Sequence, residues 1–315
     1  MKVAILESLG ISVEKLDELK KPFEQQGVTF SIYDRTSDED VLVEETKDAD
    51  AVIIANMPFS NEVIAKSENL KFIDVAFTGV DHVGLDAAKE KGIQVSNASG
   101  YSNEAVAELV VGMIISKYRY LREVEDLCRE GKTKENFVGY EIKGKTVGIV
   151  GLGKIGRRSA ELMDAFGANV IACDVKDIEN CPSYIKQVTL EELLHQSDIV
   201  LLHCPLMEST KGLINKDNLK LMKKSALLVN AARGPVVNAK DLKEALENGT
   251  IAGACIDVFD KEPPLSLEEP LLNAPNTLVT PHVAFASQES MVLRAEIVFD
   301  NLKAWLDGNQ KNIIL

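Results

Sequence analysis

Short apolar runs alternate with amphipathic stretches along most of this chain, the pattern of βαβ units folding onto a parallel sheet. In the first hundred residues the runs that predict strands are Val3–Leu6, Val28–Tyr33, Ala51–Ala55, Phe72–Ala76 and Ile93–Ser96. A second series starts after Lys145: Thr146–Val150, Asn169–Cys173, Ile199–His203, Ala226–Asn230, Gly253–Asp257 and Thr277–Thr280. Between the two series, Ala105–Ile115 is long enough for a helix and apolar on nearly every face, so it must be covered on more than one side. It reads either as a core helix or as a helix at a domain junction or subunit interface. A final amphipathic segment, Ser287–Leu306, is expected to return to the first domain, since chain ends often lie close together.

The second series opens on Val147-Gly148-Ile149-Val150-Gly151-Leu152-Gly153-Lys154-Ile155-Gly156, a predicted strand running straight into G-x-G-x-x-G. A helix-forming segment, Arg157–Phe166, follows, and then the run Ala168–Cys173 ending at Asp174. That order of strand, glycine turn, helix, strand and acid is the context in which the fingerprint signals a bound dinucleotide. Gly151 permits the tight turn, Gly153 lets a pyrophosphate approach, and Gly156 lets helix pack on strand. Lys154 and Ile155 open the helix whose free N–H groups and dipole would hold the anion. A carboxylate at Asp174 accepts hydrogen bonds from a ribose 2′-hydroxyl and repels a 2′-phosphate, and no Arg lies nearby, so NAD is expected over NADP. The predicted fold is α/β: two doubly wound parallel-sheet (Rossmann-like) domains, the nucleotide-binding domain of residues 100–285 inserted into a substrate domain of residues 1–99 and 286–315.

Composition narrows the function classes. The 315 residues suit two domains, and 45% hydrophobic with 27% charged residues is ordinary for a globular protein. A net charge of −14 argues against nucleic-acid or anionic-membrane partners, which require basic footprints. No apolar run approaches the roughly 18 residues of a membrane span, and the start of the chain is too short for a signal h-region. The five cysteines are scattered and form no C-x-x-C, which points to free thiols and a cytoplasmic setting. No histidine is spaced for a metal, and none is expected.

Open α/β sheets bind ligands at the carboxyl ends of their strands. Three later strands end there in loops carrying Arg233, Glu262 and His282. A histidine, with an unperturbed pKa of about 6.5, suits delivery of a proton to an oxygen gaining negative charge. A carboxylate beside it fixes its tautomer and stabilises the imidazolium. A guanidinium offers a planar fork for a substrate carboxylate. Spacing alone leaves each open to being a solvated loop charge or a cap; if the three meet, they describe NAD-linked reduction of a 2-oxoacid.

Asn230-Ala231-Ala232-Arg233-Gly234, Asp257-Val258-Phe259-x-x-Glu262-Pro263 and Thr280-Pro281-His282-Val283-Ala284 resemble the signature segments of the D-isomer-specific 2-hydroxyacid dehydrogenases. The stretch Leu202-His203-Cys204-Pro205-Leu206, followed by Thr210, resembles the loop that runs along the cofactor in that family. The resemblance implies that His203, Cys204, Pro205, Ala231, Ala232, Arg233, Asp257 and His282 line the cofactor, with Asp257 facing the nicotinamide amide unless it is a buried strand-end cap. Thr78-Gly79-Val80-Asp81 is similar to the substrate loop, whose N–H groups take the substrate carboxylate, with Phe77 beside it. A homodimer built on the Ala105–Ile115 helix and the segment after it is also implied. Among related proteins, phosphoglycerate-type enzymes carry an Arg on the loop after the third strand. Here Ala55-Asn56-Met57-Pro58-Phe59-Ser60 offers no cation before Lys66, so a small unphosphorylated 2-oxoacid is expected. Because the family includes corepressors on the same scaffold, an NADH-sensing interaction protein stands as the alternative, as does a 3-phosphoglycerate dehydrogenase. Of the other histidines, His195 is expected at an exposed helix end, His203 near the nucleotide, and His82 after the substrate loop.

Overall fold

All the predicted apolar runs form strands. The computed structural model describes residues 1–315 apart from 135, 176–179 and 262–263. The described chain divides into two units, Met1–Ser102 with Ala286–Leu315, and Asn103–Phe285.

The first unit is a parallel sheet of β1 (Lys2–Ile5), β2 (Thr29–Ile32), β3 (Ala51–Ile54), β4 (Phe72–Val75) and β5 (Gln94–Asn97), in the order β2-β1-β3-β4-β5. Helices α1 (Val13–Glu24), α2 (Glu39–Thr46), α3 (Asn61–Lys66) and α4 (Leu85–Lys91) connect the strands. Strands β3 and β4 are buried on both faces, as central strands between helical layers must be. The returning helix α11 (Gln288–Leu306) packs on β4 and β5, and its start is capped by Ser287, whose side chain accepts the Ser290 N–H. Trp305 of α11 stacks on Phe72 of β4 with ring centroids 4.8 Å apart.

The second unit is a parallel sheet of seven strands: β6 (Thr146–Val150), β7 (Asn169–Cys173), β8 (Ile185–Gln187), β9 (Ile199–Leu202), β10 (Leu227–Asn230), β11 (Gly253–Ile256) and β12 (Thr277–Val279). Their order is β12-β11-β10-β9-β6-β7-β8, so the chain leaves β6 on one side and returns on the other at β9. That reversal is the switch point at which doubly wound sheets bind ligands. Strand β8 escapes the periodicity because only Ile185 of its residues is buried, on the sheet's edge. Helices α5 (Asn103–Tyr118), α6 (Leu121–Arg129), α7 (Lys154–Ala165), α8 (Leu190–Gln196), α9 (Lys216–Leu221) and α10 (Ala239–Glu247) complete the unit.

Helix α5 carries the Ala105–Ile115 run. Val106, Val110, Met113 and Ile114 join Val147, Ile149, Met163 and Cys255 in one apolar core, which makes α5 a core helix of the unit. Each fully buried aliphatic side chain there contributes about 1.5–3 kcal/mol. Leu109, Val111 and Ile115 pack at the margin of the same core.

Candidate active site

The glycine fingerprint lies between β6 and α7, at the switch point. Gly151 has φ 92°, and a Cβ there would stand 2.7 Å from the Cys204 nitrogen on the loop after β9. A Cβ on Gly156 would stand 2.1 Å from the Gly151 carbonyl oxygen, so α7 closes on the turn only because this residue has no side chain. Gly153 differs: it caps α7, and a Cβ there would meet nothing within 4 Å. Space is thus left open over the helix start, and α7 has no acid in its first turn to oppose a bound anion. Lys154 is exposed and Ile155 half-buried on that first turn. Asp174, half-buried past β7, accepts the Leu152 N–H at 2.7 Å through Oδ2, which holds the acid against the glycine turn. An open helix start with a carboxylate fixed beside it fits a dinucleotide.

The loop after β9 passes the same turn. The His203 N–H donates to the Val150 carbonyl at 2.8 Å. The imidazole Nε2 of His203 is buried with no hydrogen-bond partner, and burial pushes the ring down to about 4, so it is neutral at physiological pH. Burial pushes the Cys204 thiol up to about 11 and keeps it protonated. Pro205 is exposed, and the Thr210 hydroxyl donates to its carbonyl at 2.7 Å while accepting the Met207 N–H at 2.8 Å. Thr210 therefore shapes the loop rather than facing out of it.

Three neighbouring strands, β10, β11 and β12, carry the next group of residues at their carboxyl ends. After β10, the Asn230 side chain accepts the Ala232 N–H at 3.1 Å and donates to the Arg233 carbonyl at 3.0 Å, clamping Ala231 and Ala232 into a tight loop. Arg233 is half-buried, and its Nη1 donates to the Ala232 carbonyl at 2.9 Å. The loop packs tightly on that of β11, since a Cβ on Gly234 would stand 1.9 Å from the Phe259 carbonyl carbon.

Asp257, just past β11, is fully buried. Its Oδ1 accepts the Thr280 hydroxyl at 2.5 Å and the Val283 N–H at 2.9 Å, and its Oδ2 accepts the Ala284 N–H at 2.8 Å. The His282 N–H donates to the Asp257 carbonyl at 2.7 Å. Every one of these bonds draws the segment after β12 onto β11. Burial raises the Asp257 carboxyl above its ordinary value, offset in part by the three donors and the nearby His282. Asp257 thus ties the segment after β12 to the end of β11. His282 itself has φ 55°, a left-handed conformation that costs a non-glycine residue about 1–3 kcal/mol and collects at functional sites. Its ring stands edge-on to Phe285 with centroids 5.5 Å apart.

In the first unit, Phe77 is buried and its ring meets those of His82 and Tyr101 at centroid distances of 6.4 and 6.1 Å. Thr78 is exposed, and Gly79 and Val80 are half-buried, on the loop that follows β4. The Asn97 side chain donates to the Thr78 carbonyl at 2.7 Å.

Residues 111–284 match the family model of the D-isomer specific 2-hydroxyacid dehydrogenase, NAD binding domain. The chain belongs to the D-isomer-specific 2-hydroxyacid dehydrogenase family. It is 34% identical over 328 residues to a hydroxypyruvate reductase of Blautia hydrogenotrophica, covering 100% of this chain and 99% of that one. It is 36% identical over 272 residues to a D-3-phosphoglycerate dehydrogenase of Methanocaldococcus jannaschii, covering 85% of this chain but 52% of the relative. The crystal structure of a D-lactate dehydrogenase from Aquifex aeolicus with NAD and lactic acid superimposes with a TM-score of 0.86 at 27% identity, over 98% of this chain and 96% of that one.

This dehydrogenase is thus an NAD-dependent oxidoreductase with two parallel-sheet α/β units. Glu262 lies outside the described residues. His195 stands exposed in the last turn of α8. Among the described residues, no group of three or more His, Cys, Asp or Glu is placed to hold a metal ion, and no helix is long and apolar enough to cross a membrane. Sequence reading missed two contributions to the first unit. Arg35, from the segment after β2, donates to the Asn56 side chain at 3.2 Å, so a cation does reach the loop after β3. Buried Glu7 accepts the Ala55 and Met57 N–H groups at 2.6 and 3.0 Å. Neither was detectable without knowing that these loops sit side by side.

Proposed function

We propose that this dehydrogenase uses NADH to reduce a small, unphosphorylated 2-oxoacid to the D-2-hydroxyacid. Hydroxypyruvate, glyoxylate, pyruvate and larger 2-oxoacids are the candidates. The observation that carries the reading is that His282 has a left-handed conformation and is bonded to Asp257 at the end of β11, the strand that lies between its own β12 and the β10 of the Arg233 loop. Bound NADH supplies the hydride. His282 delivers the proton to the ketone oxygen and takes it back in the reverse direction. Arg233 binds the substrate carboxylate with its fork and polarises the carbonyl. Glu262 orients the imidazole and stabilises its charged form. The N–H groups of Thr78, Gly79 and Val80 take the carboxylate, with Phe77 behind them. Gly151, Gly153, Lys154, Ile155 and Gly156 hold the pyrophosphate, and Asp174 holds the ribose. His203, Cys204, Pro205, Ala231 and Ala232 line the cofactor, and Asp257 positions the His282 loop beside it. Residues 100–285 then form the NAD domain, and residues 1–99 with 286–315 the substrate domain.

Five free cysteines support a cytoplasmic setting. We propose a homodimer built on the Ala105–Ile115 stretch of α5, where Leu109, Val111 and Ile115 are only partly buried, and on the segment after it. Leu121, Val138 and Tyr140 are 48%, 69% and 55% exposed on the following segment and supply an apolar surface.

A panel of 2-oxoacids with NADH tests the reading, and turnover separates it from an NADH-sensing interaction protein. His282→Ala should lower kcat by about 10²–10⁴-fold with the melting temperature unchanged. Arg233→Ala should also raise KM, and Arg233→Lys should restore it only in part, because an ammonium makes no bidentate fork. Near-normal kinetics in His282→Ala would overturn the mechanism. Arg35 beside Asn56 favours a second reading, a phosphorylated substrate. A kcat/KM for 3-phosphohydroxypyruvate above that of every unphosphorylated candidate would select it.

A further inference from the structure

A chain of buried amides runs through the first unit behind the Thr78 loop. It begins at Asp74 on β4, fully buried, whose Oδ1 accepts the Asn301 side-chain amide at 3.0 Å. Asn301, also fully buried, comes from α11 near the far end of the chain. The same amide group donates to the Asn97 carbonyl at 3.0 Å. Asn97 ends β5, and its own side-chain amide donates to the Thr78 carbonyl at 2.7 Å. On the other side, the Asn301 Oδ1 accepts from the Asn312 side chain at 2.8 Å.

Such a network is expensive to bury unless its members are satisfied, and it then fixes a unique geometry. Fold alone gives little reason for it here, since neighbouring β3 and β4 positions are apolar. Burial holds the Asp74 carboxyl well above the usual carboxylate range, and its Oδ2 has no hydrogen-bond partner. Both facts fit a neutral carboxylic acid at the root of the chain. The chain ends on the backbone of the loop whose N–H groups are proposed to hold the substrate carboxylate. A carbonyl fixed at Thr78 fixes the peptide plane that carries the Gly79 N–H.

We propose that Asn97 is a positioning residue for substrate binding, held by Asn301 and Asp74, which orients the Thr78–Val80 loop toward the substrate carboxylate. The inference rests on the function proposed above for that loop. It assigns a purpose to the return of α11: the end of the chain reaches back to set the substrate loop.

The test uses the full chain. In Asn97→Ala, hydrogen exchange of peptides covering residues 76–83 should speed up while the rest of the first unit stays protected. KM for the 2-oxoacid should rise about five- to tenfold, the size of one lost interior hydrogen bond, with KM for NADH unchanged and kcat little affected. Asn301→Ala and Asp74→Ala should act in the same direction. Asp74→Asn should restore wild-type KM, because its amide oxygen still accepts from Asn301. Unchanged loop exchange in Asn97→Ala would overturn the inference, and so would loop release without a rise in substrate KM. A rise in exchange across the whole unit, with KM for both substrates moving together, would show a merely structural role and also overturn it. Should the wild-type chain reduce no 2-oxoacid, the functional reading falls, and loop exchange alone still decides whether Asn97 holds the loop.

Discussion

Gly153 and Gly156 are three residues apart in one motif, yet alanine should damage them in different ways. At Gly156 the new methyl carbon would stand 2.1 Å from the Gly151 oxygen, a backbone atom that can retreat only if α7 lifts off β6. Overpacking of this kind costs about 1–3 kcal/mol. For a unit of this size each kcal/mol moves the melting temperature by about 2–4 °C, so a fall of about 2–12 °C is expected. At Gly153 the methyl would meet nothing within 4 Å, and the residue's φ of −71° is open to alanine. Loss of a glycine cap costs a few tenths of a kcal/mol, and the lower entropy of the unfolded alanine chain returns about as much. Gly153→Ala should therefore melt like the wild type. The space the methyl fills is where the pyrophosphate must approach, so its Kd for NADH should rise at least about tenfold. Thermal melts followed by fluorescence titration with NADH separate the two effects. Wild-type NADH affinity in Gly153→Ala would refute the placement of the pyrophosphate, and an unchanged melting temperature in Gly156→Ala would refute the packing argument.

Asp257→Asn should set an amide N–H against the Ala284 N–H, costing about 1–3 kcal/mol and lowering kcat through the His282 loop; a melt and a kcat equal to wild type would contradict that role. Asp174→Ala removes the acceptor of the Leu152 N–H as well as the proposed ribose contact, so NADH should bind more weakly and the preference over NADPH should shrink. A wild-type chain with equal kcat/KM for both cofactors would show that Asp174 does not reach the ribose. Leu121→Glu should dissociate the proposed dimer; sedimentation of the wild type as only a 34.5 kDa species at micromolar concentration would reject the dimer itself.

The two parallel sheets, the glycine turn and the three strand-end loops were legible in the chain because each depends on local spacing. Alternating apolar runs can bury their backbones only as strands between helices, and a strand entering G-x-G-x-x-G leaves few alternatives for the turn. Position at a strand's end likewise follows from where the apolar run stops, which is why Arg233 and His282 could be named in advance. Tertiary structure decided what depends on partners distant in sequence. Ala105–Ile115 was apolar on all sides, and only packing against Val147 and Cys255 showed it to be a core helix. Only the folded chain brings Thr280, Val283 and Ala284 together on the Asp257 carboxylate. Arg35 meets Asn56, and Asn301 meets Asp74, across 21 and 227 residues of chain. Hydrophobic periodicity records which face of an element is buried, but it carries no information about which buried polar group another polar group will meet, and that pairing arises only when the sheet brings its loops together.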